Sequence, residues 1–222
     1  MMINIAIDGP AGAGKSTIAK EVAHRLSFIY VDTGAMYRAL ALACIRDGVS
    51  AEDKEGVVKS CENASVTIEY VNGEQCVQLN GENVNPYIRS EEVSKMSSSI
   101  SAYGEIRSML LNLQRNLARN NNVIMDGRDI GTAVLPDADV KIYLTARTEI
   151  RAKRRFEQLR NKDSELSIDA IEKEIIERDN RDMNRKIAPL KIAENAVLVD
   201  TSNLSIEEAI STITEIIHDR VR

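Results

Sequence analysis

The fold of this chain is decided near its N-terminus by the stretch Asp8-Gly9-Pro10-Ala11-Gly12-Ala13-Gly14-Lys15-Ser16-Thr17. Branched apolar residues alternate before it, at Ile3, Ile5 and Ile7, and an amphipathic segment follows from Ile18 to Leu26. A strand, a glycine-rich loop and a helix in this order are typical of a phosphate-binding loop, and residues 9–16 match G-x-x-x-x-G-K-[ST] at every position. The stretch therefore predicts binding of a nucleoside triphosphate.

Each residue type in this loop has a chemical role. Glycines allow positive φ and expose successive N–H groups to a phosphate, and the following helix adds the positive end of its dipole. Lys15 can bridge the β- and γ-phosphates, and Ser16 can offer its hydroxyl to Mg²⁺. We therefore expect Mg²⁺ as cofactor and ATP as phosphoryl donor, held by Gly9, Pro10, Ala11, Gly12, Ala13, Gly14, Lys15, Ser16 and Thr17.

Composition limits the class of protein. The chain has 222 residues, a formal net charge of −5 and a pI near 5.3, which argues against binding of a nucleic acid polymer or a membrane surface. The residues before the first strand lack the pattern of a secretory leader, so we expect none, and no apolar run reaches the roughly 20 residues that span a bilayer. We expect a cytoplasmic monomer. Its cysteines are odd in number and widely spaced, which favours space-filling in the core: Cys44, Cys61 and Cys76.

Strand and helix patterns alternate along most of the chain, which predicts an α/β fold with a parallel sheet and helices on both faces. Residues 64–84 differ, because two alternating runs are punctuated by Asn72-Gly73 and Asn80-Gly81. Asn-Gly between such runs is a strong hairpin signal, so a small antiparallel meander is expected here. Further strands are predicted at 28–31, 123–126, 140–144 and 196–199, and further helices at 35–46, 52–62, 90–101, 105–120, 147–160, 167–186 and 205–220.

Charged residues at strand and helix positions suggest a site for phosphoryl chemistry. Asp126 ends an apolar strand, where the carboxylate that holds Mg²⁺, directly or through water, is expected. Helical spacing places four charged residues on one face of a later helix: Arg178, Arg181, Asp182 and Arg185. The preceding helix repeats the pattern with Arg147, Arg151, Arg154 and Arg155. Solvated faces with glutamate partners are the alternative, but a bound triphosphate favours an arginine clamp on phosphate.

The chemical class of the phosphoryl acceptor is indicated by the lack of an evident general base in the sequence. His24 and His218 lie on predicted surface helices with no motif around them. An alcohol acceptor usually requires a carboxylate base, whereas a phosphate acceptor is already anionic at neutral pH. A phosphate acceptor is therefore favoured, with Asp129 left open as a candidate base.

Four segments together resemble bacterial cytidylate (CMP) kinases, a type 1 family of P-loop nucleoside monophosphate kinases. They are residues 8–17, Asp32-Thr33-Gly34-Ala35-Met36-Tyr37-Arg38, Asp126-Gly127-Arg128-Asp129-Ile130-Gly131-Thr132 and Glu177-Arg178-Asp179-Asn180-Arg181-Asp182-Met183-Asn184-Arg185. The resemblance implies a three-layer P-loop fold with a five-stranded parallel sheet in one kinase domain, 1–222. Its core would be about 1–62 and 102–222, its nucleoside-monophosphate insert about 63–101, and its helical lid about 150–186.

The resemblance also implies a reaction: transfer of the γ-phosphoryl group of ATP to CMP and dCMP, in pyrimidine nucleotide metabolism. Arg38, Arg128 and Arg185 would hold the acceptor phosphate, and Arg178 and Asp182 the sugar. The cytosine would be read by Thr33, Ser98, Arg107 and Asp129. Catalysis would rest on Lys15, Arg128, Arg178 and Arg185, and Arg154 is the lid arginine assigned to ATP.

Three other classes of function compete with this interpretation. One is a structural module with a vestigial phosphate-binding loop, and the retained Lys15, Asp126 and Arg128 argue against it. A kinase for another nucleotide or a sugar acid would share the loop and differ in acceptor. A GTPase-type switch would need an N-K-x-D segment after a strand, and Asn161-Lys162-Asp163-Ser164 lacks the final Asp.

Overall fold

The strands in the described part of this chain form two separate sheets, one parallel and one antiparallel. The computed structural model describes residues 2–160 and 167–221. Its strands are β1 (Asn4–Asp8), β2 (Ile29–Asp32), β3 (Val66–Val71), β4 (Glu74–Leu79), β5 (Glu82–Asn83), β6 (Val123–Gly127), β7 (Val140–Thr145) and β8 (Val197–Asp200). Its helices are α1 (Lys15–Leu26), α2 (Thr33–Arg46), α3 (Lys54–Glu62), α4 (Glu91–Ile100), α5 (Gly104–Asn120), α6 (Thr148–Leu159), α7 (Ile168–Asn184) and α8 (Ile206–Arg220), with a short π-helix at Ile130–Val134.

The larger sheet has the strand order β2-β6-β1-β7-β8, and each neighbouring pair is parallel. Successive side chains of a strand point to opposite faces. Ile5 and Ile7 pack with α1 and α8 on one face, whereas Ala6, Val31 and Met125 pack with α2, α4 and α5 on the other. Both faces are therefore buried, which explains the continuous apolar strands and confirms the predicted three-layer α/β fold.

The smaller sheet, β3-β4-β5, is the antiparallel meander that the two Asn-Gly pairs predict. Asn72 and Gly73 have φ values of 53° and 80°, and Asn80 and Gly81 have 52° and 82°. Two successive residues in the left-handed region form the turn whose twist matches that of the flanking strands. Asparagine and glycine tolerate this conformation, so these two pairs set the register of the meander.

Side chains of the meander attach it to the end of β2. Gln75 on β4 accepts a hydrogen bond from the Asp32 N–H (2.8 Å) and donates one to the Asp32 carbonyl (3.1 Å). The Tyr70 hydroxyl on β3 donates to the Tyr30 carbonyl (3.1 Å). β2 is an edge strand, so these bonds satisfy backbone groups that no neighbouring strand reaches. The small sheet is thereby fixed beside the carboxyl end of β2.

The carboxyl ends of three neighbouring strands carry aspartates at one edge of the large sheet. Asp32 of β2 pairs in register with Asp126 of β6, and Asp8 of β1 pairs with Gly127. Ligands of open α/β sheets collect at this edge. The strand register therefore places the glycine loop, Asp32 and Asp126 next to one another.

Some boundaries differ from the sequence prediction. α3 begins at Lys54 rather than at residue 52, because Asp53 caps it by accepting a bond from the Gly56 N–H. α7 ends at Asn184, and Arg185 has an extended backbone (φ −63°, ψ 142°). The prediction that Arg185 continues the helical face of Arg178 is therefore wrong. Residues 161–166 lie outside the described part of the chain; they fall within the predicted lid and include the whole segment 161–164.

The three cysteines are buried free thiols, in agreement with the prediction that they fill space. Cys44 Sγ and Cys61 Sγ lie 3.6 Å apart between α2 and α3. Across residues 2–160 and 167–221, no helix has the length and apolar character needed to cross a bilayer.

Candidate active site

The loop between β1 and α1 has a backbone that glycine alone accommodates without strain. Gly9 has a φ of +150°, and a Cβ there would lie 1.9 Å from the Leu144 carbonyl oxygen on β7. Gly14 has a φ of 89° and directly precedes α1, which has neither a side-chain cap nor an acidic residue in its first turn. By contrast, α2, α3, α4, α7 and α8 have capping side chains. The first amides of α1 are thus left for an anionic ligand.

Lys15 begins α1, and its side chain is buried below the loop. Its Nζ donates a hydrogen bond to the Pro10 carbonyl at 2.8 Å. Burial, together with the guanidinium of Arg128, lowers the pKa of Lys15 to about 7, although Asp126 acts in the opposite direction. The negative charge of a triphosphate would restore the protonated form of this side chain.

Asp126 is the penultimate residue of β6, beside the loop, and its carboxylate has two hydroxyl partners. Ser16 Oγ donates to Oδ2 at 2.7 Å, and the Tyr30 hydroxyl donates to Oδ1 at 3.1 Å. Burial raises the pKa of Asp126 to about 6, and the charge of Asp32 adds to this effect while Lys15 opposes it.

The pair formed by Ser16 and Asp126 suits Mg²⁺ that arrives with a nucleotide. Hydroxyl and carboxylate oxygens are hard ligands of the type that this ion prefers. In the described ranges, no group of three or more His, Cys, Asp or Glu side chains could hold a metal by itself. Mg²⁺ characteristically completes its coordination with substrate phosphates and water, so one carboxylate and one hydroxyl fit such a site.

Asp32, at the end of β2, holds two guanidinium groups. Its Oδ1 caps α2 by accepting a bond from the Ala35 N–H at 2.9 Å. Its Oδ2 lies 2.9 Å from Nη2 of Arg38 on α2 and 2.9 Å from Nη2 of Arg89, which precedes α4. Two cations are thus brought together within reach of an anionic ligand.

Asp129 follows β6 and pairs with guanidinium groups from two distant elements. Arg107 on α5 forms an ion pair with its Oδ2, and Nη2 of Arg185 lies 3.1 Å from its Oδ1. The guanidinium of Arg107 also lies over the ring of Tyr37, 5.7 Å from the centroid. A carboxylate beside two guanidinium groups presents both acceptors and donors to a polar planar ligand.

Arg128 and α7 complete the charged cluster. Nε of Arg128 donates to Oδ2 of Asp182 at 2.8 Å. Arg178 lies one turn earlier on α7, and burial, followed by the charge of Arg128, lowers its pKa to about 10. Buried atoms without a hydrogen-bond partner in the described residues include Arg38 Nε, Arg178 Nε and Ser98 Oγ. Because such atoms are costly when left unpaired, they favour a polar ligand at this position.

One cleft of about 1160 Å³ joins the loop to this charged cluster. Residues 11–17 line it, whereas Gly9 and Pro10 are not part of its lining. The other predicted site residues that line the cleft are Thr33, Arg38, Ser98, Arg107, Asp126, Arg128, Asp129, Arg154, Arg178, Asp182 and Arg185. Side chains that are far apart in the sequence therefore meet around one space.

The four arginines that the spacing predicts on one helical face have different surroundings at and after the start of α6. Arg147 is exposed, with its Nε 3.0 Å from Glu149 Oε1. Arg151 is buried against the backbone of the glycine loop. Arg154 lines the cleft and donates from Nη2 to the Thr201 carbonyl at 2.7 Å, and Arg155 also lines the cleft. The spacing predicts a common helical face but not which neighbour covers each position.

Arg181 on α7 is also placed differently from the prediction. It is exposed and lines a neighbouring hollow of about 640 Å³ together with Asn180 and Asn184, whereas it is not part of the cleft lining; Ser98, Asp182 and Arg185 line both spaces. Asp182, by contrast, is 5% exposed and faces Arg128. Only part of the predicted charged face of α7 is therefore directed at the site.

Comparison with known proteins assigns the chain to a family. The sequence model of the cytidylate kinase family matches residues 5–219. The chain belongs to the cytidylate kinase family. The cytidylate kinase of Caldicellulosiruptor bescii is 47% identical over 220 residues, which are 99% of this chain and 97% of that protein. The cytidylate kinase of Caldanaerobacter subterraneus is 46% identical over 222 residues, 100% of this chain and 97% of that protein. The chain is therefore a nucleoside monophosphate kinase.

A likeness among solved structures agrees with the fold. Shikimate kinase from Bacteroides thetaiotaomicron superposes with a TM-score of 0.50 at 15% sequence identity, over 98% of this chain and 99% of that one. At this identity the likeness shows a shared fold and nothing about the acceptor.

Sequence reasoning missed several residues around the cleft. Asp32 and Arg89 form an ion pair there, and Tyr30 holds Asp126. Asp8 accepts hydrogen bonds from the N–H groups of Ile130 and Gly131, each at 2.8 Å. Asp8 and Asp32 end apolar strands, and Asp126 lies one residue before the end of another; this shared position is the signal that could have identified them.

Proposed function

We propose that this kinase transfers the γ-phosphoryl group of ATP to CMP and dCMP, giving ADP and CDP or dCDP. The observation that carries the proposal is that the glycine loop and the guanidinium groups of Arg38, Arg128 and Arg185 line one cleft. The loop suits the phosphates of one nucleotide, and the guanidinium groups suit the phosphate of a second. Holding the two in line removes much of the entropic barrier to reaction.

On the donor side, residues 9–17 would surround the ATP phosphates, and Arg154 would approach them from the rim of the cleft. Lys15 would bridge the β- and γ-phosphates. Ser16 would bind Mg²⁺ directly and Asp126 would hold it directly or through water. When bound, Mg²⁺ neutralises charge that develops on the phosphate oxygens.

On the acceptor side, Arg38, Arg128 and Arg185 would bind the CMP phosphate. Lys15, Arg128, Arg178 and Arg185 would stabilise the charge of the transition state. No general base is required, since the acceptor phosphate is already anionic at neutral pH. The surroundings of the three candidate bases support a reaction without a general base. Asp129 forms ion pairs with Arg107 and Arg185. His24 and His218 are exposed on α1 and α8.

Base and sugar recognition follow from the remaining polar groups. Cytosine offers an amino donor at N4 and acceptors at N3 and O2. Asp129 would accept from the amino group, Arg107 would donate to the ring acceptors, and Thr33 and the unpartnered Ser98 hydroxyl would complete the contacts. Arg178 and Asp182 would hold the sugar. We also propose that residues 63–101 form the monophosphate insert, residues 150–186 the lid, and the rest the core of a cytoplasmic monomer.

Substrate selectivity tests this proposal. ADP release should be measured with Mg-ATP and, in turn, CMP, dCMP, UMP, AMP and dTMP. We expect CMP and dCMP to exceed AMP and dTMP by about 10²-fold or more in kcat/KM, because a site built to hydrogen-bond one base leaves buried groups unpaired with another.

A Lys15→Ala variant purified in the same way measures any kinase carried over from the host, and its rate is subtracted. Equal rates with AMP and CMP would indicate a different acceptor, and no reaction with CMP would end the proposal.

A further inference from the structure

The peptide groups of Ala11 in the glycine loop are held by side chains from α6 and α7. The Ala11 N–H donates to Oδ1 of Asp179 at 3.0 Å, and Nη1 of Arg151 donates to the Ala11 carbonyl at 2.8 Å. The same Nη1 lies 2.5 Å from Oδ2 of Asp179. Arg151 and Asp179 are each 6% exposed, so this ion pair is shielded from water.

The rest of the Arg151 guanidinium is engaged as well. Nε donates to the Ala146 carbonyl at 2.8 Å, and Nη2 donates to Oγ1 of Thr148 at 2.9 Å. All three nitrogen atoms therefore have partners within the protein. Arg151 belongs to an arginine-rich helix beside a phosphate site, yet its donors are used on the loop and on the start of α6.

The next residue of the loop packs against the same helix. Gly12 has a φ of +74°, and a Cβ there would lie 3.2 Å from Cβ of Arg151 and 3.5 Å from its carbonyl oxygen. The loop is thus in contact with α6 through Gly12 and bonded to α6 and α7 through Ala11. Asp179 is not needed to cap α7, which Ser167 caps at its other end.

We propose that Arg151 and Asp179 are positioning residues for the donor site: they fix the Ala11 backbone and so hold the amides that follow it in the direction that ATP requires. This inference rests on the proposed role of the loop as the ATP site. A loop rich in glycine has many accessible conformations, and binding to a fixed one avoids the cost of ordering it. Loss of the pair would also leave the Ala11 N–H and carbonyl without these partners.

The test separates ATP from CMP. Arg151→Met keeps the length of the side chain and removes its donors. We expect a rise of about tenfold in both the KM and the calorimetric Kd for ATP, of the size expected for losing a hydrogen bond to a charged group. The KM for CMP should stay within about twofold of the wild type. Arg151→Lys, which retains one charged donor, should recover part of the ATP affinity.

Asp179→Asn supplies a second route to the same result, since it weakens the ion pair with little change in shape. The double variant with Arg151→Met should lose no more ATP affinity than the weaker-binding of the two single variants, because both substitutions act through the same loop. Lys153→Met, an exposed change on the same helix, is the matched control and should leave ATP binding unaltered.

Thermal unfolding distinguishes positioning from bulk stability. Folded variants with a lower Tm but an ATP Kd within about twofold of the wild type would overturn the inference. Equal increases in the KM for ATP and CMP would also overturn it. If Arg151→Met does not fold, the ATP Kd and the two KM values of Arg151→Lys and Asp179→Asn test the inference in its place. A wild type that binds ATP without phosphorylating CMP would contradict the proposed function while leaving the role of Arg151 open to the binding measurement.

Discussion

Lys15 lies in surroundings that disfavour its own charge. It is 6% exposed, and burial with the nearby Arg128 lowers its pKa to about 7 from an ordinary value of 10.5. A triphosphate supplies compensating negative charge and raises the pKa again. Binding of ATP above neutral pH should therefore be coupled to protonation of this one side chain.

We expect ATP binding at pH 8 to take up close to one proton, because Lys15 is mostly neutral before binding and charged afterwards. Calorimetric titrations in buffers of different ionisation enthalpy measure this uptake directly. Lys15→Met, which cannot titrate, should show almost none. A binding enthalpy for the wild type that does not depend on the buffer would contradict the prediction.

Asp8 links two elements that carry the two halves of the proposed site. It ends β1 immediately before the glycine loop, and its carboxylate accepts the N–H groups of Ile130 and Gly131, each at 2.8 Å. Those residues begin the π-helix that follows Arg128 and Asp129. One buried carboxylate thereby sets the distance between the donor loop and the acceptor arginines.

Asp8→Asn should disturb both elements together. The amide can accept one of the two bonds but presents its NH₂ to the other donor, so we expect a loss of about 1–3 kcal/mol in the free energy of unfolding and a lower kcat. Urea denaturation and the CMP assay measure the two effects. Asp139→Asn is the control, since Asp139 accepts one N–H, from Asn4, at an exposed position. An Asp8→Asn protein as stable and active as the Asp139→Asn protein would contradict the prediction.

Element types were predictable because both sheets have clear patterns. Apolar strands at 123–126 and 140–144 and the two Asn-Gly pairs indicated the parallel sheet and the meander, and both are present. The π-helix at Ile130–Val134 was not predicted, because the N–H groups of its first turn donate to Asp8, a residue distant in the chain. Tertiary contacts of this kind leave no local pattern.

The same distinction holds within the site. The motifs that carry Arg128 and Asp182 were identifiable, and these residues do meet, with Nε of Arg128 2.8 Å from Asp182. The different surroundings of Arg151 and Arg154 could not be predicted, because helical spacing fixes a face without specifying what packs on it. The end of α7 before Arg185 was missed for a similar reason: Arg185 donates to Ala188 and pairs with Asp129.

Taken over the whole molecule, buried charges make stability depend on pH. The pKa of Asp8 and of Asp126 is raised to about 6 by burial, from an ordinary 3.8. Between these values the folded protein binds more protons than the unfolded chain, so stability falls as the pH rises. The lowered pKa of Lys15 has the opposite sign, because above about pH 7 the unfolded chain binds more protons. The combined contribution of Asp8, Asp126 and Lys15 to the free energy of unfolding is therefore smallest between about pH 6 and 7.

Asp126→Asn should stabilise the protein without nucleotide while lowering its activity. Removing a buried charge should increase the free energy of unfolding at pH 7.5, and each kcal/mol of increase should raise the Tm by about 2–4 °C. The Ser16 and Tyr30 hydroxyls can turn to accept from the new amide, so few hydrogen bonds are lost. Calorimetric scans from pH 4 to 8 should show the difference in Tm between the two proteins narrowing as the pH falls below about 6, where Asp126 takes up its proton in the folded state. A lower Tm for the variant at pH 7.5 would contradict this prediction.

The strand order has a consequence for synthesis of the protein. β1 lies in the middle of the large sheet, yet its two neighbours begin only at Val123 and Val140. At 5–20 residues per second the ribosome adds β6 roughly 6–25 s after β1. During that interval Ile5 and Ile7 belong to a strand with both edges open. A nascent chain stalled before β6 would thus leave β1 without either of its partner strands, and completing the sheet with β8 depends on the last third of the message.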